Sequence, residues 1–181
     1  MKNIKFVTLM AAGLLTITAC GAKAVSFEDW KKKADACEDK TYATATLKVV
    51  SNSKDADGSE EKENATYHYT LKDGGWANDE TEGAKYSYFV GMRAKDAFQA
   101  DPSSTATGYK YTFYSDLSIK VDIDSTTSLL GYSVVIKGSG SMKFNGNGYL
   151  TSYSSKSTTT LTTPDGEEKA TSSGTMTISY K

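Results

Sequence analysis

Few side chains in this 181-residue chain could carry out chemistry, and their spacing argues against catalysis. There is one histidine, His68, flanked by Tyr67 and Tyr69. A nucleophilic triad needs an imidazole beside an activated hydroxyl or thiol, and no G-x-S-x-G elbow accompanies it. Zinc needs clustered His and Cys ligands, which one histidine and the distant Cys20 and Cys37 do not supply. Residues 55–61, D-A-D-G-S-E-E, open like a calcium loop but lack its spaced ligands and distal bidentate glutamate. They read as a solvated hairpin loop. Asp116, Asp122 and Asp124 could serve a sugar as paired acids, but Lys110 and Lys120 alternate onto the same strand face as Asp122 and Asp124, making it an outward polar surface. These residues predict a chain without catalytic site, metal or cofactor. The single arginine, Arg93, stands among apolar neighbours, where a guanidinium must snorkel to a rim, pair with a carboxylate or bind an anion such as a lipid headgroup.

Cys20 has the most informative surroundings. Lys2 and Lys5 precede an apolar stretch over residues 6–18, too short for a permanent membrane span. Ile17-Thr18-Ala19-Cys20 then places an aliphatic residue, two small ones and a thiol in order. This run resembles the lipobox of bacterial lipoproteins. The resemblance implies that residues 1–19 are a removed signal peptide and that Cys20 is lipidated with a diacylglycerol. The mature protein would then be extracytoplasmic, anchored by its acyl chains to a bacterial cell membrane. Loss of Lys2 and Lys5 moves the formal charge from −1 to −3, too mild a field to suggest a nucleic-acid partner. Cys37 would be the one remaining thiol, so packing rather than a disulfide must stabilise the fold. Residues 20–25 form a lipidated tether of at most about 20 Å.

The elements that would position these residues are read from periodicity. Ser26 with Asp29 resembles a capping box ahead of a helix over 27–37, on which Phe27, Trp30, Ala34 and Cys37 make one apolar stripe. Cys37 is therefore expected to be buried and inert, with Lys31, Lys32 and Lys33 facing outward. Residues 43–49 and 65–71 alternate as two half-buried strands of a hairpin that ends at Asp73-Gly74-Gly75. Residues 83–100 place Tyr86, Phe89, Val90, Ala94, Ala97 and Phe98 on one helical arc that includes Arg93, which predicts an inserted helix stopped by Pro102. The run 109–124 alternates strongly and is one long strand or two bent near Ser115-Asp116. Residues 131–144 give a further strand or two, and Asn145-Gly146-Asn147-Gly148 is a turn. Residues 149–163 and 170–180 form the last hairpin. Ten of the thirteen residues from Thr151 to Thr163 are Ser or Thr, which places that strand at an edge or on the wet side of the sheet.

The predicted fold is α+β: one domain over 26–181, with an antiparallel curved sheet or incomplete β-barrel and two helices, N-terminal and inserted, on its concave face. The element order resembles the LolA/LolB-like lipoprotein carriers and the lipid-transfer lipoproteins of mycobacteria, without a motif that carries over residue by residue. That resemblance implies acyl chains held between sheet and helices. The expected function is a monomeric, non-catalytic binding module for a lipid or other amphiphile, with Trp30, Tyr86, Phe89, Arg93 and Phe98 lining the cleft. The alternative is a structural or interaction lipoprotein of the cell envelope with no ligand cavity.

Overall fold

The computed structural model describes residues 22–78, 83–104, 107–129 and 131–181; Cys20 and the leader lie outside them. In chain order the elements are β1 (Ala24–Val25), α1 (Phe27–Asp35), β2 (Thr44–Lys54), β3 (Glu60–Lys72) and β4 (Gly75–Ala77). A 3-10 turn (Gly83–Tyr86), α2 (Ala94–Ala97) and a second 3-10 turn (Pro102–Ser104) follow. The chain ends with β5 (Tyr109–Tyr114), β6 (Ile119–Leu129), β7 (Tyr132–Phe144), β8 (Leu150–Thr163) and β9 (Gly166–Tyr180). All nine strands join one curved, unclosed antiparallel sheet in the order β1-β5-β6-β7-β8-β9-β2-β3-β4. The predicted α+β class with a curved sheet, an N-terminal helix and an inserted helix is what the chain forms.

Alternation fixes the register. Leu47 lies opposite Tyr67 on one side and Ile178 on the other, and Val49 opposite Ala65 and Met176, so the apolar residues of β2, β3 and β9 share a face. A one-residue slip would turn that whole set toward water. The helices close over this face at one end only. Ser26 caps α1 by accepting from the Asp29 N–H at 3.1 Å, and its hydroxyl donates to the Asp29 carboxylate at 2.9 Å. Trp30 and Ala34 are the fully buried residues of α1.

The sheet divides into two parts along its strands. A register row runs Tyr111, Val121, Gly140, Ser155, Gly174, Ser51, Glu63 across β5, β6, β7, β8, β9, β2 and β3. Every buried apolar residue lies on the side of this row nearest the helices. On the other side Ile123, Val134, Ile136 and Leu161 on one face, and Val135 on the other, all remain half-exposed. This far part is a single layer, a blade whose apolar residues are only half-buried. The near part is a two-layer core.

Several local expectations are corrected. Helix α1 ends at Asp35, with Ala36 as its C-cap, so Cys37 lies beyond the helix and is half-buried rather than buried. Ala24 and Val25 are not free tether: they pair with Tyr114 and Phe113 as an edge strand. Residues 83–100 do not form one helix. Gly91 takes φ +87°, and a Cβ there would overlap the Trp76 indole, so the chain turns at this point and only Ala94–Ala97 is α-helical. β8 lies between β7 and β9, not at an edge. Its Ser and Thr side chains are mostly half-buried, and β-branched Thr favours the strand without needing a core. The run 109–124 is two strands. They are joined by a turn in which Asp116 accepts from the Ser118 N–H at 3.0 Å and Leu117 adopts φ +69°.

Candidate functional site

Trp30 is the centre of the near core, 1% exposed. Its ring meets Phe113 at 5.2 Å, Phe27 at 6.2 Å, Phe98 at 6.3 Å and Phe144 at 6.4 Å between centroids. The indole N–H donates to the Leu117 carbonyl at 3.1 Å. Phe98 continues the cluster outward, edge-on to Tyr111 at 5.6 Å. Such edge and tilted contacts are favourable beyond the area they bury. They also fill the space between helix and sheet.

Tyr86 belongs to a different group. Its hydroxyl donates to Glu63 Oε2 at 2.6 Å, Tyr67 donates to Glu63 Oε1 at 2.8 Å, and Lys85 Nζ lies 3.1 Å from Oε2. Burial pushes the Glu63 carboxyl up, but the donors from Tyr86, Tyr67 and Lys85 outweigh it and hold the group below its ordinary value. Burial first, and the Glu63 carboxylate second, push the Tyr86 hydroxyl upward. This cluster pins the 3-10 turn to β3. Phe89 is half-buried against Tyr153 at 5.4 Å, while its neighbour Tyr88 is 76% exposed.

Arg93 sits in a third place. Its backbone pairs with Tyr149, flanked by bonds from the Ala94 N–H to the Gly148 carbonyl and from the Leu150 N–H to the Met92 carbonyl. The guanidinium lies 4.3 Å over the Tyr149 ring. It donates to Asp39 Oδ1 at 2.7 Å, the Asn147 carbonyl at 3.0 Å and the Glu38 carbonyl at 3.3 Å. Lys95 first and Arg93 second, both bonded to Asp39, hold that carboxyl below its ordinary value. Of the outcomes open to a lone arginine, pairing with a carboxylate is the one present.

The five residues expected to line one cleft therefore fall into separate clusters; Trp30 and Phe98 are in ring contact, whereas Tyr86 and Arg93 each serve their own carboxylate. Two hollows of about 360 Å³ and 180 Å³ lie elsewhere, on the sheet. Gly108, Tyr109 and Ile123 line the first, and Val50, Asn52 and Gly174 the second. None of the five residues borders either hollow.

The remaining candidates are surface features. His68 is exposed, with Nδ1 3.3 Å from the Thr46 hydroxyl. In the 55–59 loop, Asp57 accepts from the Ser59 N–H at 2.8 Å, a turn bond rather than a cation cage. Asp122 pairs with Lys120 and Asp124 with Lys137. Among the described residues no group of three or more His, Cys, Asp or Glu could hold a metal ion, and no helix is long and apolar enough to cross a membrane. Sequence reasoning missed Glu63. It falls within the charged run Glu60-Glu61-Lys62-Glu63, but its parity with Ala65, Tyr67 and Tyr69 places it on the inner face.

No protein-family model matches the chain, and no curated protein or solved structure is significantly similar to it.

Proposed function

We propose that this protein is a membrane-anchored extracytoplasmic lipoprotein whose domain is a non-catalytic interaction module of the cell envelope. The anchoring rests on the lipobox resemblance at Ile17-Thr18-Ala19-Cys20. The observation carrying the interaction reading is the blade: strands extended beyond the core, with Ile123, Val134, Ile136 and Leu161 half-exposed on one face and Lys137, Lys156, Thr158 and the half-exposed Val135 on the other. A sheet that projects past its own core adds little burial for the backbone it orders, so stability alone does not account for its length. Surface offered to a partner does. Photo-crosslinking residues placed at positions 135 and 161, on the blade, should give a discrete adduct in intact cells, and one at position 73, in the turn after β3, should not. Full expression with no adduct from either blade position would remove the reading.

A second reading, the amphiphile binder, is favoured by the half-buried aromatics Phe89, Tyr153, Phe98 and Tyr111 beside the closed core. In that reading acyl chains would enter by displacing these rings, and Arg93, already paired with Asp39, would have no headgroup role. Native mass spectrometry of the purified domain separates the two: stoichiometric lipid supports the carrier, and its absence together with non-saturable fatty-acid binding supports the interaction module.

A further inference from the structure

The amino-terminal attachment fixes which end of the domain faces the membrane. Lys23 is clamped to the turn between β5 and β6. Its carbonyl accepts from the Ser115 N–H at 2.9 Å, and its own N–H donates to the Ser115 hydroxyl at 3.1 Å. Lys33 Nζ donates to the Ser115 carbonyl at 2.6 Å, tying α1 to the same turn. Only Gly21 and Ala22 separate Cys20 from this clamp. Three Cα steps span at most about 11 Å.

Direction matters as much as length. β1 runs antiparallel to β5, so the chain preceding Lys23 leaves the sheet where β5 ends, at the Ser115 turn. Every neighbouring pair of strands is antiparallel, so the turns at 73–74, 115–118 and 145–148 share that end, the base. The turns at 55–59, 131 and 164–165 share the opposite end, the tip. β9 runs from tip to base over fifteen residues, about 45 Å at about 3.3 Å per residue.

We propose that the base, around Lys23, Lys32 and the Ser115–Asp116 turn, docks on the bilayer surface and holds the blade upright, its tip about 45 Å beyond the headgroups. The inference rests on the lipoprotein reading for its anchor. Lys23 and Lys32 are exposed and make no ion pair among the described residues, so they are free to meet anionic headgroups. A partner of the blade therefore meets it away from the membrane plane.

The test uses residues 20–181 in a Cys37→Ser background, with Cys20 coupled to a maleimide lipid in vesicles of phosphatidylcholine and anionic phosphatidylglycerol that carry an acceptor dye. A donor is attached through an azide-bearing side chain at position 73 (base) or 165 (tip). The base donor should transfer strongly and the tip donor at least about twofold less, since transfer falls steeply over a separation of about 45 Å. Inserting twelve Gly/Ser residues between Gly21 and Ala22 should bring the two donors together, because a flexible tether of that length releases the orientation. Equal transfer from both positions in the short-tether protein would overturn the proposal. If Cys37→Ser does not fold, Cys37→Ala serves the same purpose. Protein recovered from cell membranes without an acyl group on Cys20 would remove the lipoprotein reading, and leaves the geometric result to be judged separately.

Discussion

The Trp30 indole N–H donates to the carbonyl of Leu117 at 3.1 Å, and both residues are almost wholly buried, at 1% and 2% exposure. Leu117 holds φ +69°, a left-handed conformation that costs an L-residue of its size free energy. The bond thus joins the largest core side chain of α1 to a sheet turn that carries a non-glycine residue in the left-handed region. The same turn carries the Lys23 clamp, so core, turn and amino-terminal attachment form one unit.

Trp30→Ala should cost about 3–5 kcal/mol, the range for deleting a large buried aromatic. Trp30→Phe keeps most of the packing but orphans the Leu117 carbonyl, and should cost about 1–3 kcal/mol. Urea denaturation followed by far-UV circular dichroism reads both. An unchanged midpoint for Trp30→Ala would mean that α1 is not part of the cooperative core.

Gly91→Ala should destabilise by at least about 2 kcal/mol, combining a left-handed backbone with a Cβ driven into Trp76. The two contributions separate in a Trp76→Ala background. There the steric part should disappear and the conformational part remain, so the Gly91→Ala penalty should shrink but not vanish. A penalty of the same size in both backgrounds would show that the indole contact is irrelevant.

Arg93→Ala should cost about 1–3 kcal/mol through loss of two carbonyl bonds and the Tyr149 stack. Arg93→Lys should recover only part of this, since an ammonium cannot stack and fork together. Asp39→Asn should matter much less, because that carboxylate is 73% exposed. A larger loss from Asp39→Asn than from Arg93→Ala would reverse this assignment.

Glu63 gives the domain a pH signature. Its native pKa lies below the ordinary glutamate value of 4.5, so its stabilising contribution is complete above that value. It is lost as pH falls through the lower native value. Glu63→Gln should therefore be destabilising at pH 7 by about 2 kcal/mol, with the difference from wild type narrowing below about pH 4.5. A difference that stays constant down to pH 3 would exclude an ionised Glu63 from the native cluster.

The hairpin of β2 and β3 was legible because period-two alternation and a half-buried sheet are the same physical statement. Residues such as Leu47, Tyr67 and Tyr69 could face the core in only one register. The Ser26 cap and the buried place of Trp30 were legible for the corresponding helical reason. The segment 83–100 was not. Its apolar spacing fits a helical arc, but the Trp76 indole beside Gly91 comes from a distant strand, a contact that no local pattern contains. Arg93 stands out in the sequence as the single arginine, while its partner Asp39 lies in an irregular segment with no periodicity to place it. The Ser/Thr content of β8 does not place it: an edge strand and a half-buried interior strand share that composition, and only pairing distinguishes them.

The lipid anchor underlies both the proposed location and the upright blade, and one measurement tests it most directly: the intact mass of the protein extracted from host membranes, compared with a Cys20→Ala variant. The expected wild-type chain begins at Cys20 and carries a diacylglyceryl group, and the variant lacks the adduct and leaves the membrane fraction. A wild-type chain without an acyl adduct on Cys20, or a Cys20→Ala variant at full expression that still needs detergent for extraction, would contradict it.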